Sequence, residues 1–267
     1  MGNVLKTKTI IALMLPLVLL LPAALRMQGQ TAVSMEFNHT QVGLPYFKSY
    51  FTDFKDFAGR PAKWNGSQWI AASSITGAGI GLYLYDAQIR DFVIRNNPES
   101  FTQPDKWFLN PLGMGIWVAP VLGGMYFTGD KRAKGTALAV VKAYGYGVFT
   151  AGSLKYVLQR ARPGDLCPSD PYHWDGPFGK WKYNAFPSRH AMLSFAMATV
   201  LAAEYKETIW VPVLCYSLAT MASLARVQNG EHWPSDVLIG AALGFGIGKF
   251  VHYSSKQKPA EKLHKFD

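Results

Sequence analysis

Six long apolar segments, roughly Trp69–Tyr85, Trp107–Phe127, Thr136–Leu158, Ala191–Ala203, Ile209–Leu224 and Val237–Tyr253, occupy most of the chain beyond its first quarter. None alternates apolar and polar residues as a half-buried strand would, so the pattern predicts an all-α fold, a six-helix bundle. Hydrophobic residues make up 49% of the 267 residues and charged residues only 16%, which favours a polytopic membrane or membrane-surface protein over an ordinary soluble one. Gly240, Gly244 and Gly248 recur every fourth residue on one face of the last segment. Small residues let helix backbones approach closely, so a tight bundle is expected; loosely specified apolar helices would carry glycine too.

The 27 Lys and Arg against 17 Asp and Glu give a net charge of +10, which suits anionic partners such as phosphate groups and acidic lipids. Nucleic acid is disfavoured, because the cations are scattered among hydrophobic helices and form no solvent-facing stripe. Two cysteines, Cys167 and Cys215, make no disulfide framework.

Lys6 and Lys8 precede an apolar run, Ile10–Leu21, of the length of a secretory signal core. The residues after it contain no clean cleavage site, which leaves a cleaved signal and an uncleaved anchor both open. Aromatic residues from Tyr46 to Phe57 recur at helical spacing and predict an amphipathic helix packed on the domain or on lipid. The expected organisation is a signal segment (1–25), an exported amphipathic segment (26–65), the main domain (66–253) and a basic tail (254–267). Lys131, Arg132 and Lys134 crowd one turn, and Lys256, Lys258, Lys262 and Lys265 crowd the tail. The positive-inside rule puts both in the cytoplasm and the polar loops described next outside, in the periplasm of a Gram-negative cell. A cytoplasmic N-terminus followed by seven crossings would strand the tail outside. Either one segment does not cross, Trp69–Tyr85 with Ser73, Ser74 and Thr76 being the weakest, or the bundle is a soluble exported one.

Polar residues interrupt this apolar background at three places. Lys155 and Arg162 lie seven residues apart before Pro163. Seven steps of about 100° return nearly to the same helix face, and Pro163 is expected to end the helix at Arg162. Paired cations there suit a bound anion, or equally a snorkelling lipid anchor. A long loop, Gly164–Ala185, carries Tyr172, Trp174, Phe178, Trp181 and Tyr183 and reads either as a substrate rim or as an interfacial anchor. Pro187-Ser188-Arg189-His190 then opens a helix, where free backbone N–H groups and the Ser188 hydroxyl can receive an anion beside a proton-donating His190. The last place is Arg226-Val-Gln-Asn-Gly-Glu-His232-Trp-Pro-Ser-Asp236. Arg226 offers a fork to phosphate oxygens. Asp236, four residues after His232, can fix the imidazole tautomer and prepare its other nitrogen as nucleophile or base.

Together, Lys155-x6-Arg162-Pro163, Pro187-Ser188-Arg189-His190 and Arg226-x5-His232-x3-Asp236 resemble the three signature motifs of the type 2 phosphatidic acid phosphatase superfamily, which includes class A acid phosphatases and vanadium haloperoxidases. The resemblance extends over about residues 66–253. It implies a phosphatase without metal or other cofactor, in which His232 attacks phosphorus, Asp236 orients it and His190 protonates the leaving oxygen. Lys155, Arg162, Ser188, the backbone N–H of Arg189 and Arg226 would hold the phosphoryl oxygens. Arg189 departs from the family's usual Gly, and Ala225 from its usual Ser. The expected substrate is a lipid phosphate, such as phosphatidate, phosphatidylglycerol phosphate, undecaprenyl diphosphate or a lipid A phosphate, at a bacterial inner membrane with the site facing the periplasm. A soluble periplasmic acid phosphatase, a vanadium haloperoxidase and a non-catalytic phospholipid binder or transporter are the alternatives. Oligomeric state is not legible.

Overall fold

The computed structural model describes residues 36–96, 105–177, 179 and 182–257. The expected signal segment and most of the basic tail lie outside them, as do Phe178 and Trp181. The described residues are largely helical. Helix α1 (Leu44–Gly59) starts with Pro45 in its first turn, where the missing N–H costs nothing. Helix α2 (Gly66–Leu84) opens on a capping box in which Asn65 Oδ1 accepts from the Gln68 amide and Gln68 Oε1 from the Asn65 amide, both at 3.0 Å. There follow α3 (Asp86–Arg95), a short α4 (Asn110–Gly113), α5 (Val118–Thr128), α6 (Lys131–Leu158), α7 (Arg189–Glu204), α8 (Trp210–Gln228) and α9 (Pro234–Ser254). A two-residue antiparallel ladder pairs β1 (Glu36–Phe37) with β2 (Lys256–Gln257).

Helix α7 forms the axis of the bundle and packs against α6, α8 and α9. Met192, Leu193, Ala196 and Val200 of α7 are buried against Val140 and Ala143 of α6 and Ile247 and Val251 of α9. The glycine stripe of α9 faces α7. A Cβ on Gly240 would come 2.5 Å from the Ser188 carbonyl oxygen and one on Gly248 2.6 Å from that of Ala196, while one on Gly244 would overlap the Met192 carbonyl. The stripe therefore sets the spacing of the two helices. The predicted amphipathic helix is α1: the Tyr46 hydroxyl donates to the Leu138 carbonyl of α6 at 2.9 Å, and Phe57 packs on Phe250 of α9, while Phe47 and Phe51 stay exposed.

Two expectations change. The segment Trp107–Phe127 is no single helix; its two halves, Lys106–Gly113 and Val118–Thr128, are bent by 58°, with Gly115 between them at φ 79°. That left-handed backbone is one only glycine adopts readily, and it breaks the helix. Helix α6 also ends earlier than Pro163 suggests, because Gln159 turns left-handed at φ 44°. Arg162 is therefore not one helix face with Lys155 but part of the following connection. Among the described residues, α8 and α9 are long and apolar enough to cross a membrane, and the bent pair would be a third if it is one span.

At one end of the bundle Glu204 receives Arg132 at 2.7 Å, His252 at 2.9 Å and Lys256 at 2.6 Å, tying α6, α7 and α9 together. The opposite end gathers the start of α3, the C-termini of α6 and α8 and the N-termini of α7 and α9.

Candidate active site

The turn between α8 and α9 is built around Gly230, at φ 67°, which allows the amides of Glu231 and His232 to fold back onto the Arg226 carbonyl at 3.0 and 3.2 Å. This tucks His232 under the helix end, 2% exposed. Trp233, fully buried, anchors the turn by donating from its indole to the Ala161 carbonyl at 2.8 Å. Asp236 reaches back in the first turn of α9. Its Oδ2 accepts from the Trp233 amide at 3.0 Å and stands 3.6 Å from His232 Nδ1, an ion-pair separation slightly beyond a hydrogen bond. Among the described residues that nitrogen has no hydrogen-bond partner. Burial, more than any neighbour, pushes the His232 pKa below the ordinary imidazole value, so the ring is held neutral.

The other oxygen of Asp236 belongs to a residue the sequence reading passed over. Arg160 lies just beyond the turn at Gln159, fully buried. Its Nη1 donates to Asp236 Oδ1 at 2.6 Å and to Ser235 Oγ at 2.8 Å; its Nη2 donates to Asp86 Oδ2 at 2.7 Å. Nη2 and Nε also reach the Pro171 carbonyl, at 2.8 and 3.0 Å. The guanidinium sits among the rings of Tyr83, Trp174 and Trp233, its carbon 4.8, 5.1 and 5.6 Å from their centroids. Asp86, also fully buried, accepts from the Ser235 amide at 2.9 Å and hydroxyl at 2.5 Å. Trp174 thus brings part of the aromatic loop inward, its indole N–H donating to the Tyr83 hydroxyl at 3.0 Å.

Ser188 caps α7, with its Oγ 3.5 Å from the Ala191 amide, and its own amide donates to the Asp236 carbonyl at 3.0 Å, joining the starts of α7 and α9. His190, half-buried in the first turn of α7, has Nε2 2.8 Å from Asn110 Oδ1 of α4. A Cβ on Gly113 would stand 3.0 Å from the His190 ring, so α4 lies directly against it. The Lys155 ammonium donates to the carbonyls of Asn184 and Ala185, and Arg162 Nε to Asn184 Oδ1 at 2.8 Å. Arg189 is exposed, whereas Arg226 is fully buried and pairs with Glu231. His190 lies within electrostatic reach of Arg226, His232, Arg189 and Arg162, and His232 within reach of Lys155, Asp236 and Arg162. All eight residues singled out in the sequence therefore meet at one end of the bundle. Arg160, Asp86, Asn110 and Glu231 join them. A cluster of this composition offers cations and helix N–H groups to an anion and two imidazoles to its chemistry.

The chain is similar to known proteins over parts of its length. A stretch of 73 residues, 27% of this chain, is 38% identical to the lipid A 1-phosphatase of Porphyromonas gingivalis but spans only 16% of that protein. Over 160 residues, 57% of this chain and 69% of the relative, it is 27% identical to the lipid A 4'-phosphatase of Bacteroides thetaiotaomicron. The fold is similar to that of the transmembrane PAP2 type phosphatidylglycerolphosphate phosphatase of Bacillus subtilis, with a TM-score of 0.51 at 20% identity, covering 73% of this chain and 98% of that one. Residues 136–259, which carry all three motifs, match the family model of the PAP2 superfamily.

Proposed function

We propose that this protein is a membrane-embedded phosphatase that removes a phosphate from a phosphomonoester or diphosphate group of a membrane lipid through a phosphohistidine. The observation that carries the reading is the meeting of a neutral buried His232 with His190 and the cations Lys155, Arg162 and Arg226. With Asp236 at its Nδ1, the free Nε2 of His232 attacks phosphorus, and the bond from phosphorus to the leaving oxygen breaks. His190, whose pKa burial and the neighbouring cations push down to about 3, takes up a proton when the phosphate's negative charge is bound beside it and gives that proton to the leaving oxygen. Water then attacks the phosphohistidine, His190 takes its proton, and inorganic phosphate leaves with His232 restored. Lys155, Arg162, Arg226, Ser188 and the Arg189 amide neutralise the phosphoryl oxygens. Phosphoryl transfer asks a protein mainly for positioning and charge stabilisation.

A lipid substrate suits the exposed apolar surface, which includes Phe127 of α5, Phe149 of α6 and Trp210 and Leu214 of α8. The relatives' names point the same way. Lys131 and Lys155 mark opposite ends of α6, separated by about 36 Å at 1.5 Å per residue. The basic turn at Lys131–Lys134 would therefore lie in the cytoplasm with the site on the periplasmic side of an inner membrane. The deciding experiment incubates purified protein with phospholipid, isoprenoid and lipid A phosphates and measures released phosphate. Turnover of at least one, lost in His232→Ala with acid-labile phosphate no longer trapped on the protein, is the expected result. Turnover surviving His232→Ala would overturn the mechanism.

A further inference from the structure

We propose that Asp86 and Arg160 are positioning residues of this reaction, a buried pair that sets both the orientation and the effective charge of Asp236 opposite His232. The inference rests on the phosphohistidine reading above. Its first support is a count of donors. Arg160 has five N–H groups, and the structure gives them five bonds, to Asp236, Ser235, Asp86 and twice to the Pro171 carbonyl. No donor is left for a phosphate oxygen, although Arg160 is two residues from Arg162. Its role is to hold, and the group it holds is the carboxylate facing His232. With Oδ1 fixed by Arg160 at 2.6 Å and Oδ2 by the Trp233 amide at 3.0 Å, the carboxylate plane cannot rotate away from the imidazole.

Charge is the second support. Arg160 is in contact with two buried carboxylates, Asp86 at 2.7 Å and Asp236 at 2.6 Å, so with both ionised the cluster carries a single net negative charge. Without Asp86 the guanidinium would neutralise Asp236. With it, a negative charge remains beside His232, whose ring becomes cationic when Nε2 bonds to phosphorus. Asp86 comes from the start of α3, outside the stretch that matches the family model. Ser235, with its amide and hydroxyl both on Asp86, locks α3 to α9 at this point.

The pair predicts opposite shifts in pH dependence, which simple loss of packing would not produce. His232 is faced by Asp236 from α9, Lys155 from α6, Arg162 from the connection after it and His190 from α7, with Arg226 of α8 facing His190. Asp86→Asn keeps the shape and removes a negative charge, so the acid limb of kcat/KM moves to lower pH. Arg160→Gln removes the compensating cation and moves it to higher pH. Substrate ionisation is common to all variants and cancels in the comparison. In Asp86→Asn, kcat is expected to fall about tenfold to a hundredfold, as for loss of an outer partner of an active-site histidine, with KM little changed. The assay uses purified full-length protein and a lipid phosphate turned over by the wild type, with thermal unfolding to verify folding. The near-isosteric Asp86→Asn carries the test if Arg160→Gln fails to fold. A folded Asp86→Asn with wild-type kcat and an unmoved acid limb overturns the proposal while leaving the phosphatase reading intact; activity in His232→Ala overturns that reading itself.

Discussion

Glu231 lays its carboxylate on the guanidinium of Arg226, with both oxygens within 3.1 Å of Nη1. The buried cation proposed to clamp the phosphoryl group is thus already paired with an anion supplied by the residue before the proposed nucleophile, His232. Arg226 is fully buried while the Glu231 side chain is 36% exposed, so the carboxylate is the partner that can leave. A substrate phosphate has to displace it, and Glu231→Gln is expected to lower KM several-fold with kcat little changed. Steady-state kinetics on one lipid phosphate check this; a raised KM would mean that Glu231 helps to hold substrate.

The environment of His232, the proposed nucleophile, sets a pH window. Burial lowers the pKa of His232 from 6.5, so the neutral, attacking ring persists below that value and the acid limb of kcat/KM is expected there. The stability consequence has a definite sign. Below about 6.5 the unfolded chain takes up a proton that the folded His232 refuses, so this group lowers stability as pH falls through that value and has no effect well above it. A kcat/KM profile with a substrate that does not itself ionise in the window checks the first statement. A set of unfolding midpoints for wild type and His232→Ala checks the second: the midpoint of the variant should fall less steeply on acidification.

The three motifs were legible because each is a polar interruption in an apolar chain, and the helices because their apolar runs are long. Arg160 was hidden in the spacer between Lys155 and Arg162, and only the left-handed turn at Gln159 sends it inward while taking Arg162 off the helix. Asp86 is an isolated acid whose partner Ser235 is 149 residues away, a pairing no local pattern encodes. Asn110 escaped notice for a related reason, since its segment read as one helix and the bend that carries it to His190 depends on Gly115.

The glycine stripe gives a stability test with an internal control. A Cβ on Gly244 would overlap the Met192 carbonyl, which α7 cannot move without separating from α9. Gly244→Ala is expected to cost about 1–3 kcal/mol, the usual effect of overfilling a close-packed contact. Gly246, on the same helix, has nothing within 4 Å of its Cβ position, and Gly246→Ala should be neutral or stabilising by up to about 1 kcal/mol through helix propensity. Equal unfolding midpoints for the two variants would show that the stripe does not set the helix spacing.

Arg189 separates what the backbone does at this site from what the side chain does. It is the first residue of α7, so its amide remains available to an anion whatever side chain it carries, and its own side chain is exposed. Its charge nevertheless reaches both His190 and Lys155. An exposed cation contributes little to a single phosphate held, as proposed, by Lys155, Arg162 and Arg226, but a second phosphate on the same lipid would lie outside that cradle. Arg189→Ala is therefore expected to leave kcat and KM for a phosphomonoester lipid nearly unchanged and to raise KM for a diphosphate lipid about threefold, in keeping with the modest strength of exposed ion pairs. Raising the ionic strength should erase the difference between the two proteins, because salt screens exposed charges over distances of about 10 Å. Paired KM measurements on both substrates, at low and high salt, check it; an equal loss on both would place the guanidinium inside the phosphoryl site.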